Sequence, residues 1–344
     1  MSFGAFDWLP FLERLGIEYV TRGPNVARGN INICCPFCGD DPSHHLGIAL
    51  TRPFWGCFRD SGHRGLSPVR LIRELARCSW PEAYQIAQEG VEAVVEELDV
   101  LAQKLAGDDQ RVIEAPLAEV RWPRELQRLD GPVHLTSRFL DYLVGRGFRA
   151  GAGNAPTHGD AMRAATRYEL RGAIEGDFAW RLCFPITLRG RLVGWTGRAI
   201  APAQIRYKTH PPGSSTLGRV LFNFDGALAR PGTRRRVLFL CEGPLDVLKV
   251  DFYGLEHGVA AVGLLGLTFS EGKAELLGEL AESYERVAIL LDSDAQAKAL
   301  DIAGSLSWLP GGAPRVVELP GGAKDPGELR AGGLSALFED ALSR

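Results

Sequence analysis

The sequence predicts a multidomain protein whose last part is an α/β domain with a parallel sheet. Two short apolar runs, residues 237–241 and 287–291, each end at carboxylate side chains and are each followed by a helical pattern. Runs of this length, bounded by glycine, proline or acidic residues, are typical of strands buried on both faces of a parallel sheet. A Cys-x2-Cys pair near the start and an antiparallel strand pair at 182–188 and 191–195 predict two further parts.

The composition is that of an ordinary globular protein, since 45% of the 344 residues are hydrophobic and 24% are charged. The apolar runs are too short to cross a bilayer, and the first ten residues lack the basic start of a signal peptide. Seven cysteines, an odd number, favour a reducing compartment and metal binding over disulfide bonds. We therefore expect a cytoplasmic protein that does not bind a membrane.

Cys35 and Cys38 form a Cys-x2-Cys knuckle, in which a tight turn directs both thiolates at one ion. Cys57 and His63 follow about one strand hairpin later and supply a second pair of ligands. Three sulfur ligands and one imidazole make a closed tetrahedral site, which predicts one structural zinc ion rather than a catalytic one. The alternative is a set of unrelated buried cysteines beside a surface histidine, which does not account for the knuckle spacing.

Aromatic and basic side chains surround the second ligand pair: Phe54, Trp55, Phe58, Arg59 and Arg64. Exposed rings of this kind can stack on the bases of single-stranded nucleic acid. For Phe54 and Trp55, a place in a small hydrophobic core is an equally good interpretation.

Glu242 directly follows the first buried run, and Asp292 and Asp294 follow the second. Ligands of parallel sheets gather at the carboxyl ends of the strands, so we expect the three side chains to share one crevice. Carboxylates that meet in a crevice repel one another unless a cation neutralises them, and oxygen ligands favour Mg²⁺ or Mn²⁺. The sequence therefore predicts a divalent-cation site at this edge of the sheet.

Positive charge is concentrated ahead of the first carboxylate. Residues 181–236 include eleven arginines and lysines but only one acidic residue, although the whole chain has a net charge of −3. Such a local field attracts polyphosphates even when a protein is acidic overall. We therefore favour phosphate binding in this segment over a solvated basic surface.

These patterns divide the chain into four segments. A small zinc-ribbon-type part with β hairpins, residues 1–106, begins with an amphipathic helix and ends in a largely helical stretch with a cap at Ser79. A polar, aperiodic linker covers 107–120. A basic α+β part at 121–233 precedes the alternating strands and helices of an α/β part at 234–344.

Three signatures in this order resemble the DnaG-type primases of bacteria and their phages over nearly the whole chain. The zinc segment is similar to their N-terminal template-binding module. The segments at 181–186, 194–198 and 221–223 resemble the basic subdomain of their RNA-polymerase core. Glu242-Gly243-x-x-Asp246 together with Asp292-x-Asp294 looks like the carboxylate pattern of the Toprim fold, which topoisomerases and some nucleases share.

The resemblance implies roles for individual residues by their position in these motifs. Glu242, Asp292 and Asp294 would be the catalytic carboxylates and, with Asp246 and Asp325, would hold Mg²⁺ or Mn²⁺. The residues that line the path of template or nucleotide would be Arg198, Arg206, Lys208 and Arg219. Asp325-Pro326 matches the start of a later acidic motif, but Gly327 stands where the family often has a second aspartate.

The resemblance also implies an activity, the joining of ribonucleotides into primers on a single-stranded DNA template. It places that activity in a bacterial cell or a phage-infected host and leaves room for a separate replicative helicase as a partner. A metal-dependent nuclease of the same fold is one alternative, and a zinc-dependent single-strand binding protein without catalysis is another. New oligoribonucleotides, a cut template or neither product would separate the three.

Overall fold

The computed structural model describes residues 6–23, 25–39, 43–60, 63–65, 67–89, 117–131, 133–148, 158–212, 214–230, 235–266, 268–309 and 312–343. Contacts divide the chain into two compact units, Met1–Ala115 with Trp308–Gly312 and Pro116–Ser307 with Ala313–Arg344. Most of the predicted linker at 107–120 and the predicted helical stretch beyond residue 89 lie outside the described residues and stay predictions. Among the helices of the described segments, none has the length and apolar character that a membrane crossing requires.

The first unit is built on a five-stranded antiparallel sheet with the strand order β1-β2-β3-β4-β5. Its elements are α1 (Trp8–Arg14), β1 (Tyr19–Val20), β2 (Asn30–Ile33), β3 (Leu46–Ala49), β4 (Trp55–Cys57), β5 (Arg64–Gly65), α2 (Val69–Ala76) and α3 (Trp80–Glu89). The predicted cap of α3 is present: the Glu82 N–H donates to the Ser79 hydroxyl at 3.5 Å, and the Ser79 N–H donates to the Glu82 carboxylate at 2.7 Å. This reciprocal pair is a capping box, which satisfies backbone donors that the first turn leaves unpaired.

Trp55 belongs to the hydrophobic core of this unit. Its side chain is 1% exposed, stacks on Phe37, and donates from Nε1 to the carbonyl oxygen of Ser67 at 2.7 Å. The interpretation of Trp55 as a ring that stacks on bases is therefore wrong, and the core interpretation holds. Phe58, by contrast, is 65% exposed.

The second unit contains an antiparallel sheet with the order β10-β9-β8-β7-β6. Its strands are β6 (Gln127–Arg128), β7 (Arg171–Ala173), β8 (Arg181–Leu188), β9 (Arg191–Ala199) and β10 (Tyr207–His210), and the helices around it are α4 (Val133–Gly145), α5 (Gly159–Arg167), α6 (Ser214–Leu217) and α7 (Phe224–Leu228). The predicted antiparallel pair is confirmed, and its second strand continues four residues beyond the predicted end. The turn between the two strands, Arg189-Gly190, has positive φ at both residues, which suits a tight hairpin.

The same unit contains the predicted parallel sheet, in the order β12-β11-β13-β14. Its strands are β11 (Val237–Cys241), β12 (Val259–Gly263), β13 (Arg286–Leu290) and β14 (Arg315–Val316), with helices α8 (Pro244–Tyr253), α9 (Glu271–Ala281), α10 (Gln296–Ser305) and α11 (Ala331–Ser343). Short 3₁₀ turns lie at Leu255–His257, Ser293–Ala295, Pro320–Gly322 and Pro326–Glu328. Every residue of β11 and β12 is buried, as expected for central strands covered on both faces.

A buried polar network joins segments of the second unit that are distant in sequence. Asp251 on α8 accepts hydrogen bonds from the Tyr168 hydroxyl at 2.6 Å, the Arg230 guanidinium at 2.9 Å and the Ala261 N–H at 3.1 Å. Asp251 and Arg230 are both almost completely buried. A buried carboxylate is tolerated only when it is paired and hydrogen-bonded, and these three donors meet that condition.

Candidate metal centres and active-site crevice

The structure brings together all four of the predicted zinc ligands. The ligand atoms of Cys35, Cys38, Cys57 and His63 lie within 4.8 Å of one another. The Cys38 and Cys57 sulfurs are 3.7 Å apart, and Nδ1 of His63 lies 3.4 Å from the Cys38 sulfur. Two sulfurs that each lie about 2.3 Å from a tetrahedral ion are roughly 3.8 Å apart, so the group has the size of such a site.

Backbone hydrogen bonds fix these ligands. The Cys38 N–H donates to the Cys35 carbonyl at 3.2 Å, which closes the knuckle turn, and the Cys57 N–H donates to the His63 carbonyl at 2.8 Å. The Arg59 N–H donates to the Cys57 sulfur at 3.4 Å. Burial, above all, raises the pKa of Cys35 to about 12. A thiolate in this position therefore needs a cation, and three sulfurs with one imidazole fit zinc.

The carboxylates occupy the carboxyl edge of the parallel sheet. Glu242 directly follows β11, and Asp292 follows the neighbouring strand β13 at the same edge, because Cys241 and Leu290 pair in register. Both side chains are half-buried, whereas Asp294, in the 3₁₀ turn after β13, is exposed. Across the described residues, carboxylates nowhere form a group of three as tight as the cysteine cluster.

Burial and electrostatic repulsion raise the pKa values of two of these carboxylates. Burial, then Asp325 and Asp294, raise the pKa of Asp292 to about 6. Burial, then Asp292 and Asp294, also raise the pKa of Glu242. Oδ1 of Asp292 is buried and accepts no hydrogen bond from any described residue. An unpaired carboxylate oxygen among like charges suits a divalent cation, so the residues present fit Mg²⁺ or Mn²⁺.

Asp246 and Asp325, the other two predicted ligands, are already engaged. Asp246 is at the third position of α8, where Oδ2 accepts the Gly243 N–H and Oδ1 accepts the Gly327 N–H, both at 3.1 Å. Burial, then Asp325 and Asp292, raise its pKa to about 7. Oδ1 of Asp325 lies 3.4 Å from the Arg146 guanidinium. Both carboxylates thus contribute charge to the crevice, but each has protein partners of its own.

The four predicted nucleic-acid-binding residues differ in their surroundings. Arg206 is exposed, and its charge lowers the pKa of Asp292, which places it beside the crevice. Arg198 is 8% exposed and donates to the Tyr207 hydroxyl at 2.7 Å. Lys208 pairs with Asp177 at 3.2 Å, and Arg219 is half-buried. Arg206 is therefore the one of the four best placed to meet a ligand phosphate.

A cavity of about 290 Å³ opens beside Glu242. Its lining includes Thr196, Tyr207 and Thr209 from the antiparallel sheet and Leu265 from the loop after β12. The Thr209 and Thr196 hydroxyls are hydrogen-bonded at 3.2 Å. The cavity lies near the lower end of the size range of small-molecule sites and combines apolar walls with a few hydroxyl groups.

Sequence reasoning found Glu242 at this cavity but missed Thr196, Tyr207 and Thr209, and it also missed Arg146. Thr196 on β9 and Thr209 on β10 lie opposite each other in the sheet. Their proximity can be predicted only when the pairing of the two strands is known. Arg146 follows α4 along the chain but meets Asp325, which is 179 residues later. The one sequence feature that could have indicated Arg146 is Gly327, since a glycine among carboxylates leaves room for another group.

The fold and the two centres together define a protein with a closed cysteine–histidine site on one sheet and an open carboxylate crevice on another. The chain is 28% identical to the DNA primase of Synechococcus elongatus, over 90% of this chain and 48% of that protein. It is 31% identical to the DNA primase of Treponema pallidum, over 44% of this chain and 24% of that protein. These matches confirm the resemblance to DnaG-type primases that the motifs predict.

The chain spans about half the length of the Synechococcus protein and a smaller share of the Treponema protein. Among solved structures, the catalytic core of the E. coli primase aligns with a TM-score of 0.47 and 23% identity, over 63% of this chain and 75% of that one. No protein-family model matches the chain.

Proposed function

We propose that the protein is a DNA primase that synthesises short RNA primers on single-stranded DNA by divalent-metal-dependent nucleotidyl transfer. The observation that carries the proposal is the unpaired carboxylate oxygen of Asp292, which lies among like charges and close to the cation of Arg206. The crevice attracts a divalent cation and lies beside a basic strand. This arrangement suits a nucleoside triphosphate, because its phosphates bind both divalent cations and basic side chains. Similarity to one DNA primase over 90% of the chain supports the same reaction.

In this proposal Glu242, Asp292 and Asp294 hold Mg²⁺ or Mn²⁺. The bound ion would offset the negative charge that develops at the reacting phosphate. Asp246 has a positioning role, because its bond to the Gly243 N–H fixes the start of α8 directly after Glu242. The half-buried setting of the crevice strengthens each of these electrostatic interactions relative to open water.

The basic residues would bind the phosphates and the template backbone. Arg206 contacts the ligand directly, while Arg198 holds the Tyr207 hydroxyl at the wall of the cavity. Base choice is left to pairing with the template, because phosphate contacts position a nucleic acid without reading its sequence. The proposed partners are single-stranded DNA, ribonucleoside triphosphates and a separate helicase. The proposed location is the cytoplasm of a bacterial or phage-infected cell.

The Cys35–Cys38–Cys57–His63 group would hold one structural zinc ion in the template-binding part of the protein. Phe58 and Phe54 are exposed rings of that part, 65% and 37% exposed, and are suited to stack on unpaired bases. The proposed boundaries of the parts remain 1–106, 107–120, 121–233 and 234–344.

The decisive experiment is incubation of the protein with labelled ribonucleotides, Mg²⁺ and single-stranded DNA. New oligoribonucleotides support the proposal, whereas a cut template without them would indicate a nuclease. Neither product, together with tight template binding, would indicate a binding protein without catalysis. The Asp292→Asn variant should lose primer synthesis by orders of magnitude, since metal stabilisation of the phosphoryl charge supplies several kcal/mol.

Asp301→Asn is the matched control for Asp292→Asn, because Asp301 is an exposed aspartate on the outer surface of α10. The control should retain full primer yield. Near-normal yield from a folded Asp292→Asn protein at ordinary Mg²⁺ would contradict the metal-site assignment.

A second test addresses the proposed phosphate contact. Arg206→Gln should weaken binding of single-stranded DNA or of a triphosphate and reduce the slope of log K against log salt by about one. Arg191→Gln is the control, since Arg191 is equally exposed but lies in the hairpin that joins β8 and β9. Equal salt slopes for the two variants would return Arg206 to an ordinary surface role.

A further inference from the structure

Arg146 extends into the acidic crevice from the end of α4. Its guanidinium lies 3.4 Å from Oδ1 of Asp325, and each of the two side chains is about four-fifths buried. Asp325 in turn is the carboxylate that most raises the pKa of both Asp246 and Asp292. The guanidinium therefore pairs with the carboxylate that acts most strongly on the other two aspartates.

Gly327 makes this approach possible. A Cβ atom at residue 327 would lie 2.8 Å from Nη2 of Arg146, 3.0 Å from Oδ1 of Asp325 and 3.1 Å from Oδ1 of Asp246. The backbone at Gly327 is outside the left-handed region, so its conformation does not by itself require glycine. The glycine leaves open a space that a side chain would share with these three groups, and the guanidinium of Arg146 lies nearest to it.

The two sides of the crevice are thus compensated in different ways. On the side of Asp246 and Asp325, the oxygens are met by two backbone N–H groups and by the Arg146 guanidinium. On the side of Glu242, Oδ1 of Asp292 is buried without a hydrogen bond from the described residues. Arg206, the cation that acts on Asp292, is exposed to solvent.

We infer that Arg146 is a built-in cation that takes the place of a second divalent ion, so that the crevice binds one Mg²⁺ or Mn²⁺, at Glu242, Asp292 and Asp294. The inference rests on the proposed function only in assuming that this crevice is a divalent-cation site. Arg146 is a positioning residue in this scheme: it holds Asp325 in a salt bridge and limits the number of ions. A guanidinium fits because its planar fork pairs with carboxylates and keeps its charge at every working pH.

The number of bound ions tests the inference directly. The full zinc-loaded chain is titrated with Mn²⁺, and free Mn²⁺ is counted by its electron paramagnetic resonance signal. The wild-type protein should bind one Mn²⁺ in the crevice, and Asp292→Asn should remove it. Asp325→Asn should leave the count at one, because Arg146 already holds that carboxylate. The affinity should fall, since a negative charge beside Asp292 is lost.

The double variant Arg146→Gln/Gly327→Asp supplies the gain-of-function arm. It removes the internal cation and adds a carboxylate where the guanidinium was, so it should bind two Mn²⁺. Two ions in the wild-type protein, or one in a folded double variant, would overturn the inference. Loss of the wild-type ion on Asp325→Asn would do the same, and this single variant keeps the test valid if the double variant does not fold.

The outcome also separates this inference from the proposed function. Two Mn²⁺ in the wild-type protein would contradict the role of Arg146 and leave a metal-dependent primase intact. No Mn²⁺ at all would contradict the catalytic metal site and the inference with it.

Discussion

The cysteine cluster and the carboxylate crevice are both built from side chains that favour a metal ion, but the protein arranges them in opposite ways. The four cluster ligands lie between residues 35 and 63 and are all within 4.8 Å of one another. The crevice draws its carboxylates from residues 242 to 325, which are held at strand ends without reaching such a spacing. One region is assembled by local turns, and the other by the pairing of distant strands.

The difference shows how each region treats its own repulsion. A neutral thiol or imidazole can be packed close before the ion arrives, and the ion then supplies folding energy. Carboxylates are charged at neutral pH, so the crevice keeps them apart and half-open, which allows a substrate to share the ion. Burial and the repulsion that remains together raise the pKa values of Glu242 and Asp292. In the proposed function, the closed site serves the fold, whereas the open one serves the chemistry.

The largest expected effect comes from removing a ligand of the closed site. Cys38→Ser should unfold the first unit, because the loss of a thiolate forfeits much of a folding energy of roughly 10 kcal/mol or more. The second unit has its own hydrophobic core and should keep its thermal transition. The checks are the zinc content and the melting profile of the purified variant.

Cys34→Ser is the matched control for this variant, since Cys34 is an exposed cysteine outside the cluster. It should bind one zinc ion and melt like the wild-type protein. One equivalent of zinc in the Cys38→Ser protein would show that the ligands have been assigned wrongly.

A smaller effect is expected from pH at the open site. The pKa of Asp292 is raised to about 6, so below this pH a proton competes with the cation for the carboxylate. The affinity for Mn²⁺ should fall roughly tenfold per pH unit below pH 6 and level off above about pH 7. Isothermal titration at several pH values measures this dependence. An affinity that is constant from pH 5 to pH 8 would mean that Asp292 is not a ligand.

The smallest effect is on stability, and its sign is opposite to that in the closed site. Because the pKa of Asp292 is raised in the folded state, its ionised form destabilises the fold above about pH 6. In Mg²⁺-free buffer at pH 8, Asp292→Asn should raise the free energy of unfolding by about 1 kcal/mol, since solvent screens part of the repulsion. At pH 5 the gain should be about half as large, because Asp292 is then protonated in the folded state but still ionised in the unfolded chain.

Urea unfolding of the zinc-loaded protein at the two pH values measures this gain, with Asp301→Asn as the control. Asp292 makes no side-chain cap bond to the 3₁₀ turn after it, so loss of a cap should not offset the gain. A destabilised Asp292→Asn protein at pH 8 would show that the carboxylate supports the fold instead of straining it.

The sequence predicted the elements that depend on local pattern. The knuckle spacing placed Cys35 and Cys38 in one turn, and the buried run at 237–241 placed Glu242 at the edge of the parallel sheet. The hairpin at Arg189-Gly190 and the cap at Ser79 follow from turn and cap chemistry in the same way. Each of these depends on residues no more than a few positions apart.

What the sequence could not predict depends on tertiary contact. Arg198 reads as a phosphate ligand within a basic block, but the strand pairing directs it at Tyr207, where it is nearly buried. Other charges in the block have carboxylate partners within the protein: Arg189 pairs with Glu279 at the surface, and Arg230 pairs with Asp251 in the interior. Trp55 could be assigned to the core only once its partner Phe37 was known. A count of charges or rings does not say which of them face the solvent.

The network around Asp251 has a consequence for any attempt to divide the protein. The proposed boundary at 233/234 separates Tyr168 and Arg230 from the carboxylate that they share, although the three side chains meet in one buried cluster. A fragment ending at residue 233 would expose an arginine that the folded protein keeps from water. A fragment starting at 234 would bury Asp251 with the Ala261 N–H but without the Arg230 cation, a penalty of about 3–5 kcal/mol. Recombinant halves should therefore be insoluble when expressed singly and soluble when expressed together. The basic segment and the parallel sheet would then form one folding unit, to be exchanged or engineered together.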